Sequence, residues 1–135
     1  MNQILTLNEP LNKIQSPEDL FARIQKIDID YDREHFLVFT LNTKNQVIDI
    51  HLTSIGIIDA ALIHPRETFR NAIKDNAKSI IIAHNHPSNS LTPSENDKEV
   101  SVALKAAGEI IGISVIDHII FTETDFLSMK QHGDF

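Results

Sequence analysis

The sequence predicts an α/β domain built on a mixed sheet. Apolar runs of strand length, at 36–41, 80–83 and 113–121, alternate with stretches whose apolar residues recur at helical spacing. The first two strands read as a hairpin, and several helix starts place a proline just behind a capping residue.

Bulk composition bounds the function classes. A length of 135 residues suffices for one domain with a proper core, and 41% hydrophobic with 23% charged residues is ordinary for a globular chain. Twelve Lys and Arg against nineteen Asp and Glu give a net charge of −7 with no basic cluster, which argues against direct DNA binding. Cysteine is absent, which excludes disulfides and thiolate metal ligands and fits a reducing cytoplasm. Residues 1–10 lack the basic start and apolar stretch of a signal peptide, and no segment reaches the roughly 20 apolar residues of a membrane span. The expected location is cytoplasmic.

The elements follow in order. Residues 1–15 are ambiguous, with an extended segment expected through 3–5. Ser16 caps a helix that opens at Pro17 and turns Leu20, Phe21, Ile24 and Ile27 to one face. After an acidic loop at 28–32, strands at 36–41 and 46–53 are joined by a turn at 42–45. Glu34 stands just ahead of the first of them. A further strand is expected over 57–63, after a turn at Gly56. A helix then opens at His64-Pro65, with Phe69, Ala72, Ile73 and Ala77 inward. The run at 80–83 is a short buried strand that ends at His84. Thr92, Pro93 and Glu95 read as cap, first and third positions of the next helix, a capping box. That helix presents Val100, Ala103, Leu104, Ala107 and Ile111 to the sheet and ends at Gly112. A strand at 113–121, a short strand near 126–129 and a frayed tail complete a single domain, 1–135. Within it, 1–30 is an N-terminal segment and helix, 31–121 the core, and 122–135 a C-terminal tail.

The chemistry concentrates between residues 84 and 97. His84 and His86, at the end of a strand, can turn both imidazoles toward one point. Ser94 and Asp97, three residues apart on a helix, share a face. Taken singly, these residues are ordinary loop polars and a first-turn acid. Together, two imidazoles and one carboxylate suit a borderline-soft divalent ion such as zinc, and three protein ligands leave a fourth position for water, the catalytic arrangement. Zinc lowers the pKa of such a water toward about 7.

His84-x-His86, seven residues, Ser94, two residues and Asp97 match the JAMM (MPN-plus) metalloprotease signature at every spacing. The surrounding His84-Asn85-His86-Pro87-Ser88 and Thr92-Pro93-Ser94 resemble the RadC-like branch of that superfamily. So do Asp32-Arg33-Glu34-His35-Phe36, His64-Pro65-Arg66-Glu67, 76–82 and Asp117-His118-Ile119-Ile120. The resemblance covers about 30–121. It implies a three-layer, cytidine-deaminase-like JAB/MPN fold with one zinc per chain on His84, His86 and Asp97. It also implies Glu34 as general acid/base, and Ser94 follows as donor to a developing oxyanion. His118, Arg66 and Asn85 are candidates for supporting a ligand or touching substrate. The cysteine ligands usual in deaminases are absent.

The signature loop departs from the usual RadC-like form, which has Gly after Pro-Ser and then Asp-Pro. Here Asn89, Ser90 and Leu91 follow, and Asn89 can still take a left-handed turn. RadC-like proteins usually carry a helical N-terminal region associated with helix-hairpin-helix motifs, whereas a single helix precedes the core here. The implied activity is zinc-dependent hydrolysis of a peptide or protein substrate, including isopeptide-linked ones. The alternatives are a DNA-repair or mobile-element accessory protein that binds or cuts DNA, and a non-catalytic MPN scaffold, which would have broken ligands. Homodimerisation is left open.

Overall fold

The structure, a computed structural model, describes residues 13–59 and 61–135. The extended segment expected through 3–5 lies outside them. Strand β1 (His35–Leu41) is buried along its whole length, and its side chains divide by parity. Phe36 and Val38 join one core, while Leu37, Phe39 and Leu41 join another on the opposite face. β2 (Val47–Ile55) pairs antiparallel with β1 around a turn in which the Asn42 carboxamide accepts from the amides of Lys44 and Gln46. β3 (Ser79–Asn85) lies antiparallel on the other side of β1. Ile80 and Ile82 face the first core, Ile81 and Ala83 the second. β4 (Ser114–Phe121) runs parallel to β3, and β5 (Phe126–Ser128) pairs antiparallel with β4. The sheet order is β2-β1-β3-β4-β5, so the mixed sheet is as expected.

Helices cover both faces. α1 (Pro17–Ile24) starts as read, with the Ser16 hydroxyl accepting from Asp19 N, and buries Leu20, Phe21 and Ile24 in the second core. α2 (Pro65–Lys74) is capped by His64, whose Nδ1 accepts from Arg66 N at 3.1 Å. α3 (Glu95–Ile111) provides Val100 and Leu104 to the first core beside Phe69 and Ala72 of α2. The first core therefore lies between the sheet and α2/α3, and the second between the sheet and α1. α3 links β3 to β4, the parallel neighbours, as a crossover must.

Several expectations are corrected. Residues 57–63 form no strand among those described: Ile57 is exposed, and the Asp59 carboxylate accepts from the amides of Ala61 and Leu62, closing a turn. The hairpin strand instead runs on to Ile55, ahead of Gly56 at φ 117°. On α2, Ile73 faces solvent at 59% exposure, and Thr68 takes the inner place.

α3 begins two residues later than read, with Ser94 as cap. Asp97 at its third position closes the box from both directions, which Glu95 behind Thr92 does not. The buried residues of this helix are Asp97, Val100, Ser101, Leu104 and Gly108, with Ala107 packed against the first core as expected and Ile111 exposed. The tail is folded: α4 (Met129–His132) is capped by Ser128, and Met129 is fully buried. No helix among the described residues is long and apolar enough to cross a membrane.

Candidate metal centre

Parity on β3 sets the site. His84 shares the face of Ile80 and Ile82 and so points to the α3 side, while Asn85 shares the opposite parity. β3 ends at Asn85, and His86 N donates to Phe121 O at 3.1 Å, so the second histidine is still held by β4. The loop then turns at Asn89, whose φ of 67° is the left-handed conformation expected of it. Ser94 ends the loop and starts α3. Its N–H donates to Asp97 Oδ2 at 2.8 Å, and its Oγ accepts from Asp97 N at 3.0 Å. That capping box fixes the Asp97 carboxylate in the first turn, 2% exposed.

Three side chains converge. His84 Nε2 lies 2.9 Å from Asp97 Oδ1, His86 Nε2 lies 3.1 Å from Asp97 Oδ2, and the two Nε2 atoms are 3.0 Å apart. Their partners on the far side identify these atoms as acceptors. His86 Nδ1 sits 2.7 Å from Ser90 O, a group that only accepts, so Nδ1 carries the proton and Nε2 the lone pair.

For His84 the same logic runs through a buried chain. Ser101 Oγ donates to Asp97 O at 3.1 Å and therefore accepts from His118 Nδ1 at 2.6 Å. His118 Nε2 is then left to accept from His84 Nδ1 at 2.8 Å. Two lone pairs and two carboxylate oxygens thus meet with no proton donor of their own between them. Such a donor set fits a divalent cation, and the His84–His86–Asp97 group can hold one.

The electrostatics agree. Burial pushes the Asp97 carboxyl up, but the His84 and His86 rings held against it, with Ser94 N–H, outweigh it and leave its pKa lowered. Burial opposes a proton on His86, yet the Asp97 carboxylate, the Ser90 carbonyl and the Glu34 charge leave its pKa raised. A positive charge is what the cluster favours. His118, wholly buried and beside His84, is held well below the usual imidazole pKa, mainly by burial, and so stays neutral.

Glu34 lies just ahead of β1 and is fixed on every side. Its carbonyl accepts from Gly56 N at 2.9 Å, and its Oε2 accepts from Ile58 N at 2.9 Å. The fully buried Asn85 brackets it: Asn85 Oδ1 accepts from His35 N at 2.7 Å, and Asn85 Nδ2 donates to Arg33 O at 2.8 Å. The carboxamide thus stands in for one more backbone pair beyond Phe36–His84, the last in the register. Glu34, Ile57, Ile58, His86, Ser94 and Asp97 line one cleft of about 540 Å³, together with the loop residues Pro87, Ser88, Ser90, Thr92 and Asn96.

The structure therefore brings Glu34, His84, His86, Ser94 and Asp97 together, with Asn85 and His118 behind them. Arg66 is placed elsewhere: it is exposed, pairs with Glu67 at 3.6 Å and does not line the cleft. Sequence reasoning missed Ser101, although its position one turn after Asp97 was a signal. It also missed Ile58 N–H, a backbone group that no motif records.

The chain is similar to known proteins over most of its length. A family profile described as the RadC-like JAB domain matches residues 14–134. UPF0758 proteins are similar over most of the chain. That of Rubrobacter xylanophilus is 47% identical over 120 residues, 89% of this chain and 52% of the relative. That of Pelodictyon phaeoclathratiforme is 44% identical over 134 residues, 98% of this chain and 60% of the relative. That of Desulforamulus reducens is 48% identical over 120 residues, 89% and 53% respectively. The chain thus spans between 52% and 60% of the length of these relatives. With a mixed sheet between helices and a His-His-Asp group at a strand end, it belongs to the RadC-like JAB domain family.

Proposed function

We propose that the chain is a metal-dependent hydrolase acting on peptide or isopeptide bonds. The observation that carries the reading is the meeting of two imidazole lone pairs and a carboxylate, without a donor between them, at the wall of a cleft that Glu34, His86 and Asp97 line. His84, His86 and Asp97 would hold the ion, and zinc suits two imidazoles and one carboxylate. When bound, such an ion polarises a carbonyl and acidifies water.

The chain's own residues supply the rest. Ile58 N–H occupies Glu34 Oε2, which leaves Oε1 to accept a proton from water and later pass it to the leaving amine. Ser94 Oγ accepts from Asp97 N, so its hydroxyl proton remains available to an oxygen on which charge develops. Losing a donor of that kind costs about 10²–10³ in rate. The Asn85 bracket holds Glu34 in place, and the His118–Ser101 chain keeps His84 Nε2 unprotonated. A DNA-directed role finds no support in this chain's charge of −7.

The test is elemental analysis of the purified protein beside D97A and E34Q, followed by peptide and isopeptide libraries. The expected result is about one zinc at this centre, lost in D97A and kept in E34Q, with turnover lost in both. A protein that takes up no divalent ion here, or an E34Q variant that turns over as the wild type does, overturns the reading.

A further inference from the structure

Asp49, His51 and Asp75 form a second converging group at the far end of the hairpin. Asp49 and His51 are alternate residues of β2 and so share a face. Asp75 is the residue that ends α2, its N–H bonded to Asn71 O at 2.8 Å. One donor atom from each of the three lies within 4.8 Å of the others. His51 Nε2 is 2.7 Å from Asp75 Oδ2 and 3.9 Å from Asp49 Oδ2.

Neighbouring groups hold both carboxylates toward the ring. Asp49 Oδ1 accepts from Ile50 N at 2.8 Å, which turns Oδ2 toward the ring. The hydroxyl of Thr40, a fully buried residue, donates to Asp75 Oδ2 at 2.8 Å and orients that carboxylate from behind. A ring nitrogen has one proton to give, so a proton can satisfy only one of the two carboxylates around it. A divalent cation meets all three groups.

We propose that Asp49, His51 and Asp75 hold a second divalent transition-metal ion, independent of the His84 centre. One imidazole with two carboxylates, open to solvent through the exposed Asp49, suits ions of the manganese-to-zinc series with water completing the coordination. Thr40 pairs opposite Asp49 at one end of β1, and His35 lies at the other. His51 lies opposite Val38 and His84 opposite Phe36, so two residues of strand and two strand spacings, about 12 Å, separate the histidines, and the two groups share no ligand. The ion clips the edge strand β2 to the end of α2. These are the two elements flanking the segment that carries Ile58, the partner of Glu34.

The test is zinc stoichiometry by equilibrium dialysis of the full chain at tens of micromolar free metal, with D97A, H51A and D49N alongside. The expected result is about two zinc ions per wild-type chain and about one in each single variant. Manganese(II) added to D97A should broaden the His51 ring signals in NMR spectra, and this broadening should vanish in D97A/D49N. Because Asp49 is exposed, D49N reads the site without risk to the core. One zinc in the wild type that H51A and D49N retain overturns the proposal. If instead H51A and D49N lose an ion while D97A loses none, the second site stands and the hydrolase reading falls.

Discussion

Asn85 sits between two histidines whose ring nitrogens converge, yet its own side chain serves another strand. Its carboxamide makes both bonds that a backbone pair would make, to Arg33 O and His35 N. Asn85→Ala leaves His35 N buried and unpaired, while Arg33 O keeps His35 Nδ1 at 2.9 Å, so we expect a loss on the order of 1–3 kcal/mol, read as a lower urea midpoint. Zinc content at the His84 centre should persist, because the ligands keep their own supports. Ser101→Ala tests the neighbouring chain. His118 Nδ1 then loses its acceptor and the His84 tautomer its anchor, so zinc affinity should fall about 10–100-fold in chelator competition with the fold intact. An unchanged affinity would remove the chain from the site.

At the scale of elements, α3 shows how a local rule and a packing demand compete. Gly108 lies on the buried face, where an added Cβ would stand 2.5 Å from Ile113 O. Gly108→Ala gains about 1 kcal/mol of helix propensity, but the clash is with backbone and cannot relax cheaply. A lower melting temperature is expected; a higher one would show that the β4 lead-in can move.

The same helix shows what the sequence could convey. Two overlapping capping boxes, Thr92 with Glu95 and Ser94 with Asp97, are equally legible as text. Only the mutual bonding of Ser94 and Asp97 selects the second. Both proposed ligand histidines and Asp97 were legible because strand end, turn and helix start are local signals. The Asn85–Glu34 bracket was not, since it joins residues 50 and 52 positions apart. Residues 57–63 misled because an apolar run is the signal of a strand, whereas Ile58 works here through its backbone N–H.

For the whole molecule, the candidate centre ties β3, β4 and α3 across the sheet from the N-terminal helix. Its converging acceptors repel one another unless a cation or protons intervene. Metal that binds only the folded chain should therefore stabilise it, by about 2.7 kcal/mol at a hundredfold excess over Kd, visible as a melting temperature that rises with added zinc and falls with chelator. The effect should fade on acidification. The His86 pKa is raised, so the proton-bound form is favoured below that raised value and competes with metal there. Zinc occupancy should be full near pH 8 and lost progressively toward pH 5, in the imidazole range. Occupancy that holds unchanged to pH 5 would argue that the histidines are not ligands.

The double duty of His84-Asn85-His86 has a consequence for anyone who would transplant the centre. Copying the two histidines and the aspartate onto a host strand and helix would carry over the electrostatics but not the aim of the acid. The middle residue needs an antiparallel neighbour that begins one residue past its last backbone pair, and a glutamate framed by that neighbour's first two peptide groups. The smallest portable unit is therefore a pair of strands with the helix that follows, and a graft built on one strand should bind metal with no carboxylate held where Glu34 stands.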